Sequence, residues 1–158
     1  MFLEKTRRKL EETRAETLAL IEGCDEATLR AARVNDEWSA FDVLAHLAHS
    51  EADHLRTITA TPEELAEFAA TFDLDAWNRK QTEALRALSL PELLQRLADV
   101  RAQTMATLAE IGEEGMVEKV HHPVFGEIER GKLFRIIAMH ERMHQQDIRK
   151  ALQEAASA

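Results

Sequence analysis

Near the end of the chain stand two histidines four residues apart, in His140-Glu141-Arg142-Met143-His144, with a third, His46, far upstream. On a helix, residues four apart lie one above the other on the same face. Their imidazoles can then bind one cation together. The stretch also spells H-E-x-x-H, so a zinc peptidase competes with a metal site inside a helical bundle. A chain with seven histidines contains ~0.3 pairs at this spacing by chance, so placement has to carry the reading.

Placement favours the interior. The last helix carries one wide apolar stripe of Leu133, Ile136, Ile137, His140, His144, Ile148 and Ala151, with the two histidines in its middle. Buried imidazoles need partners, and two stacked together would repel if both were protonated. A metal ion removes that conflict because it binds neutral imidazole; a hydrogen-bonded core pair is the alternative. Upstream, Val43, His46, Leu47 and Ser50 share a helix face, with His49 and Asp53 at its edge. If the two helices run parallel side by side, all three histidines reach one layer. The peptidase reading fails on context. No G-x-x-H continuation follows His144, and Glu154 lies roughly 15 Å further along the same helix. Glu141 points about 100° away from His140, toward the helix flank.

The elements that must position these residues are helical. The chain has 158 residues, 45% hydrophobic and 31% charged, with only 5 Gly and 3 Pro. Such a chain suits a single domain spanning residues 1–158, all-α, with a proper core. A formal charge of -9 argues against nucleic acid as a partner. The single Cys24 excludes an internal disulfide and reads as a small residue at a helix end. The N-terminal segment has no apolar signal core, and no window resembles a membrane span, so a cytoplasmic location and no membrane contact are expected.

Helix 1 is predicted from about Phe2 to Glu22, stopped by Gly23 and followed by a loop. Helix 2 follows Ser39, an N-cap with Asp42 at the capping-box position and Trp38 before it to staple Val43, and runs to about Thr59. A short acidic piece starts at Thr61, and another helix starts near Asp73 and stops near Leu88. Ser89-Leu90-Pro91-Glu92 opens helix 3, which breaks at Gly112. Glu113 to Gly131 reads as irregular, with short extended pieces and no sheet. The last helix covers about Lys132 to Glu154. Four main helices with a long crossover, residues 60 to 89, between the second and third allow a non-sequential bundle order.

The ordered set Trp38-Ser39, Val43-Leu44-Ala45-His46-Leu47-Ala48, Asp73 to Asn78, His122-Pro123-Val124-Phe125-Gly126 and His140 through Ile148 resembles the DinB/YfiT-like four-helix-bundle proteins over nearly the whole chain. The resemblance implies a bundle of unusual helix order, often a homodimer. It also implies a divalent metal site (zinc, nickel or iron) at His46, His140 and His144. Where many members carry an acidic residue three positions after the first histidine, this chain has His49. That residue could be a fourth ligand, a hydrogen-bond partner of a ligand, a catalytic base, or a histidine of the pocket wall. His54 is expected to line the helix face, and His121 and His122 to lie in a surface turn.

Three histidine ligands leave coordination positions open, as in catalytic sites. A thiol or water there becomes a nucleophile near neutral pH. The resemblance therefore implies a metal-dependent enzyme that transfers a low-molecular-weight thiol, such as bacillithiol or mycothiol, to small electrophiles, with isomerase chemistry also represented among relatives. Ser50, Asp53, Arg101 and Arg142 are candidate pocket groups, Arg142 reading more simply as a solvated flank residue. The alternative is a metal-binding or small-ligand-binding dimeric stress protein without turnover.

Overall fold

The computed structural model describes residues 2–158. Its elements are α1 (Phe2–Ile21), α2 (Glu26–Ala31), α3 (Ala40–Thr59), α4 (Pro62–Ala69), α5 (Leu74–Leu85), α6 (Leu90–Gly115), β1 (Lys119–His122), β2 (Gly126–Glu129) and α7 (Arg130–Ser157). α1, α3, α6 and α7 form a four-helix bundle, and α4 and α5 make the long helical crossover between the second and third of them. No helix among the described residues is long and apolar enough to cross a membrane.

Local chemistry fixes the starts. Ser39 and Asp42 cap α3 reciprocally, and Ser89 with Glu92 does the same for α6. Thr61 with Glu64 adds a capping box for α4, and the Asp73 carboxylate accepts from the Ala76 amide to start α5. Trp38 packs on the core cluster that contains Val43. Gly112, at φ +62 and ψ -177, interrupts the helical backbone of α6 near its end.

Two core clusters set the helix directions. One holds Ile21, Val43 to Ala45, Leu93, Leu97, Ile148 and Ala151. The other holds Leu10, Ile58, Leu108, Leu133, Phe134 and Ile137. Residue numbers rise from the second cluster to the first in α1 and α7, and fall in α3 and α6. So α1 and α7 run one way and α3 and α6 the other. The condition set for the histidine-bearing helices, that they run parallel, is not met: α3 and α7 are antiparallel. The three histidines still meet because each lies well inside its helix, between the two clusters.

Two further corrections concern connections. The loop after Gly23 contains α2, capped by the Asp25 side chain on the Thr28 amide; Cys24 sits half-buried before it. The segment read as irregular forms an antiparallel hairpin, pairing Val120 with Ile128 and His122 with Gly126. Its turn is held by His122 Nδ1, which accepts from the amides of Val124 and Phe125 at 3.0 and 3.2 Å, and by Gly126 at φ +68. A side chain closing a turn leaves no hydrophobic periodicity for a sequence reading to detect.

Candidate metal centre

His46, His140 and His144 converge, each offering a ring nitrogen within 4.8 Å of the others. His140 Nε2 lies 3.1 Å from the Nε2 of His46 and 3.1 Å from that of His144. All three rings face inward from α3 and α7. His46 is buried, packed by Trp38 at 4.9 Å between ring centroids, and the other two are half-buried.

The outer nitrogens settle which tautomers are present. His144 Nδ1 is 2.9 Å from Asp147 Oδ2, a carboxylate that only accepts, so Nδ1 carries the proton. His49 Nδ1 faces Asp53 Oδ2 at 3.4 Å, which itself accepts from Trp77 Nε1 at 2.7 Å. His49 Nε2 is therefore an acceptor, approached by the Thr82 hydroxyl at 3.3 Å and by His46 Nδ1, which donates to it at 3.2 Å. The inner nitrogens of His46 and His144 are then bare lone pairs. His140 can donate one proton, to one of them. At least one of these lone pairs is left without a proton of its own in the neutral trio, and a cation at the centre would satisfy it. Nitrogens bound tetrahedrally at ~2.0–2.1 Å from an ion stand about 3.4 Å apart, close to the spacing here. The donor set fits a divalent metal.

Electrostatics agree. Burial, reinforced by the neighbouring histidines, pushes His46 down to about 2 and His140 down to about 3. Both are neutral, the form a metal takes. His49 occupies the hydrogen-bond position behind His46, on the opposite side of that ring from the converging nitrogens. Glu154 pairs with Lys150 at 3.8 Å on the exposed end of α7, away from the centre.

Directly behind the centre is a layer that sequence reasoning missed. Arg14, Glu51, Arg101 and Glu141, all under 8% exposed, form a closed ion network joining all four bundle helices. Arg14 bonds Glu51 at 2.7 Å and Glu141 at 2.8 Å; Arg101 bonds Glu51 at 2.7 Å and Glu141 at 2.5 Å. The arginines also donate to the carbonyls of Leu97 and Leu10, while Thr17 and Thr104 donate to the carboxylates. Burial alone would raise the Glu141 pKa; the two guanidiniums outweigh it and hold the carboxyl below its ordinary value. So Arg101 belongs to this network, not to a pocket. Glu141 does point away from His140, but into the core instead of the flank. A signal was present: Arg14 and Arg101 interrupt apolar stripes at helical spacing, Leu10-Arg14-Thr17-Ile21 and Leu97-Arg101-Thr104-Leu108.

The remaining candidates divide. Ser50 Oγ is 3.5 Å from His140 Nδ1. Ser50 and Asp53 line a cavity of about 410 Å³ shared with His54, His122 and the aromatic side chains of α4 and α5. Arg142 is exposed and faces Glu16 at 3.4 Å. His122, expected in a surface turn, is buried, and its pKa falls to about 4 through burial and then the charge of His54; His121 stays exposed. His54 is also depressed by burial.

A four-helix bundle with a long crossover defines a class of fold, and comparison places the chain in it. Residues 9–148 match the DinB superfamily, and the chain belongs to that superfamily. It is similar in structure to YfiT from Bacillus subtilis, described as "a probable metal-dependent hydrolase with an unusual four-helix bundle topology", with a TM-score of 0.72 at 18% identity over 98% of this chain and 87% of that one. It is also similar to TT2238, a four-helix bundle protein (TM-score 0.66, 24% identity, 94% and 98% covered), and to an uncharacterized protein from Clostridium difficile 630 (0.69, 15% identity, 94% of each). No curated protein matches the chain.

Proposed function

We propose that the protein is a metal-dependent enzyme that joins a low-molecular-weight thiol to small electrophilic molecules at a divalent ion held by His46, His140 and His144. One observation carries this reading: three imidazole nitrogens converge while the outer nitrogens of His46 and His144 are committed to donation. A divalent ion there supplies Lewis acidity, which makes a thiol or water in its open positions nucleophilic at neutral pH. The chain's own residues supply orientation. Asp53 and His49 fix the tautomer of His46, Asp147 fixes that of His144, and Ser50 stands against His140. The thiol step replaces the electrophile's leaving group by sulfur, the thiol proton passing to solvent. The description of YfiT favours a second reading in which water takes the thiol's place.

Incubating tag-free protein, with and without added metal, with a thiol and a chromogenic electrophile separates these. Saturable, metal-dependent turnover needing both thiol and electrophile supports the transferase. Turnover of an ester or amide without thiol supports the hydrolase. Metal binding without either reaction returns the protein to the non-catalytic alternative. A homodimer belongs to the proposal, supported by Met139 and Met143, one turn apart on α7 and 65% and 56% exposed; sedimentation at micromolar concentration checks it.

A further inference from the structure

The cavity of about 410 Å³ lies beside the three-histidine centre, not at it: none of the three lines it. It is within the size range of small-molecule sites, roughly 300–1,000 Å³. One wall is an aromatic box. Phe68 packs edge-on against Trp77 at 5.2 Å and, with its plane tilted by 43°, against Phe72 at 4.9 Å. The lining also carries two histidines side by side, His54 and His122, with ring centroids 5.4 Å apart and planes 32° from parallel.

The backbone dictates the hydrogen-bonding polarity of both rings. His54 Nδ1 lies 2.8 Å from the Ser50 carbonyl, which only accepts, so His54 carries its proton on Nδ1 and leaves Nε2 a bare acceptor. His122 Nδ1 accepts from two amides, which only donate, so its proton is on Nε2. Neither Nε2 has a hydrogen-bond partner in the protein, and neither is sealed from the cavity, since the only fully buried side-chain polar atom without a partner among the described residues is Arg130 Nε. Adjacent rings thus present one fixed acceptor and one fixed donor in a cavity that also holds the aromatic box. Several nearby polar groups are otherwise engaged: Asp53 by Trp77 and His49, Glu64 by its cap on Thr61, and the hydroxyls of Thr57 and Thr59 by α3 carbonyls; the exposed Arg56 lies with its guanidinium 6.0 and 5.9 Å from the Phe68 and Trp77 rings.

The geometry points to this cavity as the binding site for a small neutral aromatic molecule bearing one group that both donates and accepts hydrogen bonds, a hydroxyl or a carboxamide, read by His54 Nε2 and His122 Nε2. The ring sits in the box of Phe68, Phe72 and Trp77, and the polar group bridges the histidines. His54 stands 6.4 Å from His140 between ring centroids, so a molecule held here lies next to the candidate metal centre. In that respect the inference rests on the proposed function and names its substrate class; the binding itself needs no metal.

The test follows binding of benzyl alcohol, benzamide, toluene and benzoate by NMR, in metal-loaded and chelator-treated protein. Benzyl alcohol and benzamide are expected to perturb the Trp77 indole and bind at least fivefold tighter than toluene or benzoate. His54→Asn and His122→Asn are the discriminating variants. In each, the amide side chain can reproduce the Nδ1 bond to the backbone while removing the Nε2 group, so the fold stays and the preference over toluene falls to less than twofold. Equal affinity for toluene and benzyl alcohol, no binding of any probe, or unchanged preference in both variants overturns the inference. Probe binding in metal-loaded wild-type protein that shows no metal-dependent turnover with any thiol would retain this site while removing the transferase reading.

Discussion

Glu141 separates two descriptions of the H-E-x-x-H stretch, and Glu141→Gln tests them. In a peptidase the glutamate acts on the reaction, so its amide leaves the fold intact and abolishes activity. Here Glu141 is 2% exposed and bonded to Arg14, Arg101 and Thr17. The wild-type layer balances two arginines against two glutamates. Glu141→Gln leaves Arg14 and Arg101 sharing Glu51 alone and turns an NH2 toward guanidinium donors. Removing one member of a buried ion pair costs about 3–5 kcal/mol. For a domain of this size each kcal/mol moves Tm by roughly 2–4 °C, so a fall of about 6–20 °C is expected, measured on chelated protein. The three imidazoles are untouched, and metal stoichiometry below the transition stays that of the wild type. Adding Arg101→Met restores the balance of charge, leaving the 2.7 Å pair of Arg14 and Glu51, and should recover part of the loss in a double-mutant cycle. A Tm within 2 °C of wild type for Glu141→Gln, by this reasoning at most a ~1 kcal/mol change, refutes the network's role.

Three other outcomes follow from the same coordinates. The metal-free protein should lose stability as pH falls below about 6.5, the unfolded histidine value. His46 and His140 are depressed to about 2 and about 3 when folded, so the unfolded chain takes up protons first and stability is lost on acidification. A flat Tm from pH 7.5 to 5 in chelator contradicts this. His49→Leu should weaken metal binding about 10–100-fold with stoichiometry unchanged. His49→Gln, which keeps an acceptor for His46 Nδ1, should lose much less; equal affinities for the two in a competition titration exclude the hydrogen bond as the cause. Gly126→Ala forces an L residue into φ +68, costing ~1–2 kcal/mol, and calorimetry should find that loss with the metal site intact.

What could be read in the sequence followed from local rules. Ser39 with Asp42 and Ser89 with Glu92 are reciprocal caps whose partners sit three residues apart, so the starts of α3 and α6 were legible. His140 and His144 were legible as inward because the stripe from Leu133 to Ala151 has one face. The direction of α3 relative to α7 was not, since no local pattern encodes which neighbours a long crossover selects. The ion network was legible only in part: Arg14 and Arg101 interrupt apolar stripes, but their pairing with Glu51 and Glu141 is set by the bundle order. The hairpin depends on His122 bonding its own turn, a contact with no periodic signature. His54 and His122 looked like a helix-face residue and a surface residue because the cavity they line exists only once α4 and α5 fold across.

The most direct test is X-ray absorption on tag-free protein loaded with nickel or zinc, with metal per chain determined on the same sample. One ion per chain with scattering from three imidazoles is predicted, falling to two imidazoles or to no bound ion in His46→Ala. A spectrum with fewer than three imidazoles in the wild type, or one unchanged by His46→Ala, contradicts a centre shared between α3 and α7.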